Sequence, residues 1–200
     1  MAKTFLDRVY ALDEEARDLY ARWAASYDEE LAANGYAGPG RCAAALRAAG
    51  ADPGAPVLDL GCGTGLGGLA LRLEGFGTID GIDLTPEMAE RARARGVYRR
   101  VDVGDAAAAM AGADHASVAA IGLFSPGHAE PGLIDTVLGA LPPGGHFVFT
   151  LNDHALAERS YEARIMAWTD AGAAQCLHRE HGPHVPGQDL GATVYVLRTR

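Results

Sequence analysis

Lysine is nearly missing from this 200-residue chain, where Lys3 stands alone against sixteen arginines. A Schiff-base lysine, or the lysine of a Tyr-x-x-x-Lys dehydrogenase pair, has no residue to supply it past position 3. Cysteine is scarce too. Cys42, Cys62 and Cys176 are far apart and form no CxxC, which points away from a disulfide framework or zinc ribbon and towards a reducing cytoplasm. Basic charge is short overall. A formal net charge of -9 opposes tight binding to a polyanion, whose affinity comes largely from Lys and Arg neutralising phosphates, so no nucleic-acid partner is expected. No stretch approaches the ~20 apolar residues of a membrane span. The first twenty residues, "MAKTFLDRVYALDEEARDLY", carry acids throughout and no apolar core, so neither a signal peptide nor a membrane partner is expected.

What is present suffices for one well-buried core and falls short of two ordinary domains, so residues 1–200 are expected to form a single domain. Ala16, Leu19, Tyr20, Trp23, Tyr27 and Leu31 recur at spacings of three and four. They predict one amphipathic helix or two short ones over 13–31, stopped by Asn34-Gly35. "PGRCAAALRAAG" predicts a helix opened by Pro39 and closed by Gly50. After "ADPGAP" strands and helices alternate. Strands are expected at 57–60, 78–82, 97–103, 117–124 and 146–151. Helices are expected at 66–74, in "PEMAERARARG" with Thr85 as its cap, in "DAAAAMAGA", in "EPGLIDTVLGALPPGG" and over 155–171. Two late strands, at 173–178 and 192–198, are expected to pair antiparallel across a Gly/Pro/His loop. The pattern implies an α/β, doubly wound and mostly parallel sheet preceded by N-terminal helices, with ligands at the carboxyl ends of the strands.

The stretch "VLDLGCGTGLGG" at 57–68 fits two nucleotide-binding registers. Gly61-Cys62-Gly63-Thr64-Gly65 spells GxGxG, the turn associated with S-adenosylmethionine, and Gly63 to Gly68 spells GxGxxG, the dinucleotide fingerprint. Three features favour the first. Asp59 lies inside the strand, where a carboxylate is costly unless a cation such as an ammonium group, or a bound water, needs it. Gly61 sits at the strand end, so the turn begins there. Asp83 in "GIDLTPEM" ends the second strand and can accept from both ribose hydroxyls, although a dinucleotide would use it equally. Against a nicotinamide cofactor stand the missing Tyr-x-x-x-Lys pair and the missing second domain.

"VLDLGCGTG", "GIDLTPEM", "VGDA" and "LPPGG" before a strand together resemble the class I SAM-dependent methyltransferases, in order and spacing. "LYARWAASYDEELAANGYAGPGRCAAAL", "GFGTIDGIDLTPEMAERARARGVYRR" and "FSPGHA" resemble the methyltransferase-like proteins named after the Williams–Beuren syndrome critical region. The resemblance spans 13–200. It implies a Rossmann-like fold with S-adenosylmethionine as cofactor. Gly61, Cys62 and Gly63 would present backbone to the methionine moiety, and Asp83 would hold the ribose. Leu84 and Met88 would pack on the adenine, Asp105 would accept from its exocyclic amine beside the Ala106 N–H, and Ile121 would lie beneath. Tyr20 and Tyr27 match tyrosines that cover the cofactor carboxylate, which makes residues 1–50 a helical cap over the site. In this chain "GADHAS" replaces the usual Phe-Asp or Tyr-Asp opening of the fourth strand. The residues alone also allow Asp105 as a plain helix cap and Tyr20, Trp23 and Tyr27 as a core face.

His128 in "FSPGHAEPG" is the candidate general base, because the loop after the fourth strand faces the methyl group in this fold and imidazole titrates near neutrality. Asn152 could orient a substrate. His178, His181 and His184 have zinc-compatible spacing but no fourth ligand, so no metal is expected. The Asn-Pro-Pro-Tyr motif of amino-directed nucleic-acid methyltransferases is absent; "IGLFSPG" stands there, which favours a small-molecule substrate. Three readings stay open: a small-molecule methyltransferase, a SAM-binding protein without methyl transfer, and a nicotinamide-dependent oxidoreductase.

Overall fold

Val57–Leu60 (β1) is buried along its whole length between two parallel neighbours, Ile79–Asp83 (β2) and Ser117–Phe124 (β4), in a computed structural model that describes residues 16–112 and 114–200. A strand covered on both faces needs near-continuous apolar residues, which "VLDL" supplies apart from Asp59. The sheet runs β3-β2-β1-β4-β5-β7-β6, with β3 at Arg100–Val103, β5 at His146–Asn152, β6 at Ala174–Val185 and β7 at Leu190–Thr199. β1 to β5 are mutually parallel, and β7 runs antiparallel to both β5 and β6. This is the expected doubly wound sheet with its antiparallel C-terminal pair.

The helices are Ala16–Trp23 (α1), Tyr27–Ala33 (α2), Gly38–Ala48 (α3), Leu66–Leu73 (α4), Pro86–Ala94 (α5), Ala106–Ala109 (α6), Gly132–Ala140 (α7), Asp153–Ala157 (α8) and Arg159–Asp170 (α9). Alternate strand residues face opposite layers. Val57, Ile79 and Val148 pack under Cys42 and Leu46 of α3 and Leu71 of α4. Leu58, Leu60, Phe147 and Phe149 pack under Ile134 and Val137 of α7 and Ile165 of α9. Each such side chain, fully buried, contributes about 1.5–3 kcal/mol of hydrophobic stabilisation. Leu19, Trp23 and Leu31 of the first two helices close on Val185 and Leu190, which flank the turn between β6 and β7. Among the described residues no helix is long and apolar enough to cross a membrane.

The 13–31 segment takes the second of its two expected forms, two short helices, with Asp13 outside the described residues. Three local expectations need correction. The third strand starts at Arg100 instead of Val97, because Tyr98 turns inward beneath the glycine turn. Thr85 precedes α5 without capping it, since its backbone N–H and hydroxyl both go to Asp83. The presumed Gly/Pro/His loop is strand: β6 continues to Val185, with register shifts at Cys176/His178 and Pro183/Val185. Pro183 is tolerated there because β6 is an edge strand, and Arg41 donates to the carbonyls of Glu180, Pro183 and Ala192.

Candidate active site

The turn after β1 is built on three left-handed glycines, Gly61 (φ +63°), Gly63 (φ +54°) and Gly65 (φ +93°). That conformation costs a side-chain-bearing residue roughly 1–2 kcal/mol, which is why glycine stands at these alternate positions. Gly67 and Gly68 are right-handed members of α4 and are bare for another reason. A Cβ on Gly67 would lie 2.8 Å from Asp59 Oδ2, and one on Gly68 would lie 2.3 Å from the Tyr98 ring. The Tyr98 hydroxyl threads between them, donating to Asp59 Oδ2 at 2.8 Å and accepting from the Gly68 N–H at 3.0 Å. The turn is therefore Gly61-x-Gly63-x-Gly65, and the dinucleotide register is an accident of tyrosine packing.

Asp59 is 1% exposed, and burial raises its carboxyl pKa to about 7 against the opposing Tyr98 hydrogen bond. Among the described residues the side chain that meets it is this tyrosine hydroxyl. Asp59 and the Cys62 backbone border a void of about 30 Å³, wide enough for a water, and not the main cavity. The Cys62 side chain points into the core against Ala89, Ala92 and Tyr98, where burial pushes its thiol up.

The main cavity measures about 640 Å³ and lies at the carboxyl ends of β1, β2 and β4, at the β1/β4 switch point. Gly61, Gly63 and Ile121 form its base. Asp83, Leu84 and Met88 line the β2 side, and Asp105 and Ala106 the β3 side. Tyr20 and Tyr27 line it from the N-terminal helices, with Trp23, 2% exposed, packed between them at ring distances of 5.7 and 4.6 Å. Of the three aromatics, then, Trp23 is the fully buried one, while Tyr20 and Tyr27 are half-buried against the same cluster. The Asp83 carboxylate accepts from the Gly63 N–H through Oδ2 and the Thr85 N–H through Oδ1, both at 2.8 Å, and burial raises its pKa. Asp105 does cap α6, taking the Ala108 N–H at 2.9 Å on Oδ1, and it borders the cavity as well.

The wall opposite Asp83 comes from the end of β4 and the loop to α7. A bulge between Ala120 and Phe124 puts Gly122 at φ +71°, its N–H taken by the buried Thr150 hydroxyl at 2.8 Å, and turns Leu123 toward the cavity. His128 and Glu130 follow, then Leu133 and Thr136 of α7. The His128 ring lies edge-on to Tyr20 at 5.6 Å, its Nδ1 is 2.8 Å from Ser125 Oγ, and its Nε2 is buried with no hydrogen-bond partner among the described residues. Desolvation holds its pKa below the ordinary imidazole value, so it is neutral near pH 7. Among the described residues no lysine or arginine lines the cavity.

Other candidates lie elsewhere. Asn152 caps α8 through the Ala155 N–H and does not line the cavity. His181 pairs with Asp153 at 2.9 Å, and His184 is buried edge-on to Tyr36. Sequence reasoning missed a clamp over the glycine turn: Asp28 of α2 accepts from the buried Thr64 hydroxyl and pairs with Arg95, which also donates to the Thr64 carbonyl at 2.8 Å. Nothing in the spacing of residues 28, 64 and 95 signals it. Tyr98 was equally hidden, although the doubled Gly67-Gly68 was its trace.

Residues 34–194 match a family model described as a methyltransferase domain. The chain belongs to that family. Methyltransferase-like protein 27 of Homo sapiens is 40% identical over 88 residues, 42% of this chain and 35% of that protein. The matched stretch thus spans about a third of the human relative. A putative RNA methyltransferase from Pyrococcus horikoshii shares the fold at TM-score 0.62 and 15% identity, covering 80% of each chain. So does a SAM-dependent methyltransferase from Geobacter sulfurreducens in complex with S-adenosyl-L-homocysteine, at TM-score 0.56 and 20% identity over 79% of this chain and 88% of that one.

Proposed function

We propose that this chain methylates a small, uncharged or cationic acceptor held against His128, with S-adenosylmethionine in the part of the cavity bounded by Gly61, Gly63, Asp83 and Asp105. The observation that carries the reading is one cavity of about 640 Å³ with an acid-bearing side and an apolar side and no lysine or arginine among its described lining. The cradle suits the cofactor: a Cβ at Gly63 would meet nothing within 4 Å, so the main chain lies open to a ligand there. The carboxylates also favour a sulfonium cation. When bound, S-adenosylmethionine supplies a methyl group on an already activated sulfur, so that alignment can account for up to ~7–11 kcal/mol of the barrier.

The chain's residues divide the work. Gly61 and Gly63 offer bare main chain to the methionine end, and Asp83, braced by two backbone donors, turns its remaining lone pairs to the ribose hydroxyls. Leu84 and Met88 flank the adenine, Asp105 and Ala106 read its edge, Ile121 supports it from below, and Tyr20 and Tyr27 cover the carboxylate end. In this reading residues 1–50 cap a single domain, and Asp59 acts on the turn through Tyr98. The lone pair of His128 takes the proton that an O–H, N–H or S–H acceptor gives up, leaving an imidazolium and a more nucleophilic acceptor.

An RNA acceptor, which the Pyrococcus horikoshii protein's description suggests for that protein, is disfavoured by the net charge of -9 and by the lack of lysine or arginine among the described cavity residues. Buried Cys42 and Cys62, both unpaired, suit a reducing cytoplasm. Thermal unfolding with SAM, S-adenosyl-L-homocysteine and NAD(P) tests the cofactor: a hundredfold excess over Kd should add ~2.7 kcal/mol for the first two and nothing for the third. Turnover of SAM with a metabolite pool then separates an enzyme from a passive binder. His128→Ala should lower kcat far more than SAM affinity, and unchanged turnover would remove His128.

A further inference from the structure

Ser125-Pro126-Gly127-His128 is a four-residue unit whose sequence dictates its shape. Proline at the second position and a glycine at φ +79° in the third give a type II turn, closed by the His128 N–H on the Ser125 carbonyl at 3.0 Å. Such a turn brings its first and fourth residues together, and here it sets Ser125 Oγ 2.8 Å from His128 Nδ1. The same nitrogen lies 3.3 Å from the Pro126 carbonyl. A hydroxyl can donate or accept, so Ser125 alone would leave the imidazole tautomer open. A carbonyl only accepts. A bare Nδ1 would face the Pro126 oxygen lone pair to lone pair, whereas an Nδ1–H satisfies both oxygens. Ser125 is 3% exposed, so water does not compete for the contact.

We propose that this turn is a tautomer lock: Ser125 and the Pro126 carbonyl keep the imidazole hydrogen on Nδ1, so that His128 Nε2 carries a lone pair that only a hydrogen-bond donor can satisfy. Ser125 is a positioning residue, acting through His128. Among the described residues Nε2 is buried without a partner, so the lock makes it an acceptor waiting for a donor and selects methyl acceptors that carry a hydrogen on the oxygen, nitrogen or sulfur to be methylated. Tertiary amines and thioethers, which have no such hydrogen, leave Nε2 unsatisfied and are excluded. This substrate class rests on the methyltransferase reading; the tautomer itself does not.

The full-length protein labelled with nitrogen-15 tests it through long-range proton–nitrogen correlation of the histidine rings at neutral pH, with the His128 signals identified by their loss in His128→Gln. The expected pattern is a protonated, pyrrole-like Nδ1 and an unprotonated, pyridine-like Nε2. In Ser125→Ala one of the two acceptors is lost, and the pattern should shift towards a mixture of tautomers. A wild-type ring protonated on Nε2 overturns the lock, and wild-type protein settles that point even if Ser125→Ala does not fold. A variant spectrum identical to wild type overturns the part assigned to Ser125. Failure to bind SAM would instead sink the methyltransferase reading and leave the ring spectrum as expected, so the two failures are distinguishable.

Discussion

Tyr98, just before the third strand, reaches over Gly81 of the second strand to hold Asp59 of the first, its hydroxyl 2.8 Å from Oδ2 where the carboxyl is 1% exposed. This contact fixes the β1–α4 turn from below, since the same hydroxyl accepts from the Gly68 N–H. Tyr98→Phe should cost roughly 1–3 kcal/mol, the penalty for stranding a buried polar group, and should weaken SAM binding as the turn loosens. Urea unfolding with calorimetric titration checks both; a variant within 0.5 kcal/mol of wild type, on the order of a neutral surface substitution, would show that the contact stabilises nothing.

Asp59 also sets a pH dependence. Its folded pKa, about 7, lies above the ordinary carboxyl value of 3.8, so between those limits the folded chain binds the proton and the unfolded chain has lost it. The term is therefore absent below about pH 4, grows destabilising as pH rises, and is complete above about pH 7, amounting to roughly 2–4 kcal/mol. His184 opposes it: burial lowers its pKa from 6.5 to about 4, so it costs stability as pH falls through that range. The two overlap, and the difference between wild type and Asp59→Asn isolates the carboxyl. Urea midpoints from pH 4.5 to 7.5 should fall more with rising pH in wild type than in the variant. Parallel profiles would refute the assignment.

The glycine positions give an independent check. Gly68→Ala pushes a methyl into the Tyr98 ring and should destabilise by about 1–3 kcal/mol, as overpacking does. Gly63→Ala meets open space, so its cost is the left-handed backbone alone, roughly 1–2 kcal/mol, but it places a methyl over the ligand cradle. Combining Gly68→Ala with Tyr98→Leu should recover part of the loss, with a coupling of at least ~0.5 kcal/mol, while Gly63→Ala with Tyr98→Leu should be additive. SAM affinity should fall most in Gly63→Ala.

Most of the sheet was legible because its signals are local. The apolar run at 117–124 and the Thr85-Pro86 opening of α5 name their elements directly, and the structure places β4 and α5 there. Residues 179–185 misled because glycine and proline are poor strand formers by propensity, and only pairing with β7 and the Arg41 side chain, over 130 positions earlier in sequence, makes them a strand. Separation in sequence, 31 to 67 positions, also hid the Asp28–Thr64–Arg95 clamp. Residues in the cavity were legible where a motif carried them, as with Gly61, Gly63 and Asp83. The wall from Leu123 to Thr136 was legible only at His128, because its other members are defined by a β-bulge and a turn.

The clamp predicts a separation between binding and stability. Asp28 and Arg95 are partly exposed, so the ion pair itself is worth at most about 1 kcal/mol to folding. Yet it ties α2 and Tyr27 to the glycine turn at Thr64, which is 1% exposed. Arg95→Ala should leave the urea midpoint almost unchanged and weaken SAM binding by about tenfold, or 1.4 kcal/mol. Hydrogen exchange should rise in Tyr27–Ala33 more than in α5, which Arg95 directly follows. Equal affinity in the two proteins would mean that the N-terminal helices do not cap the cofactor.

The division of the cavity predicts a variant that binds SAM and cannot use it. Thr136 is exposed on α7 at the wall opposite Asp83, and its hydroxyl only bonds the Gly132 carbonyl one turn back. Thr136→Trp fills that side without opening the core, so its effect on stability should stay within about 0.5 kcal/mol. If SAM lies along Gly61, Asp83 and Asp105, its affinity should remain within about threefold of wild type, a difference below 1 kcal/mol. Turnover with a metabolite pool should be lost, because the indole occupies the volume between Leu133 and His128 in which an acceptor must sit. A variant that loses SAM binding along with turnover would place the cofactor on the α7 side and reverse the assignment of the two halves.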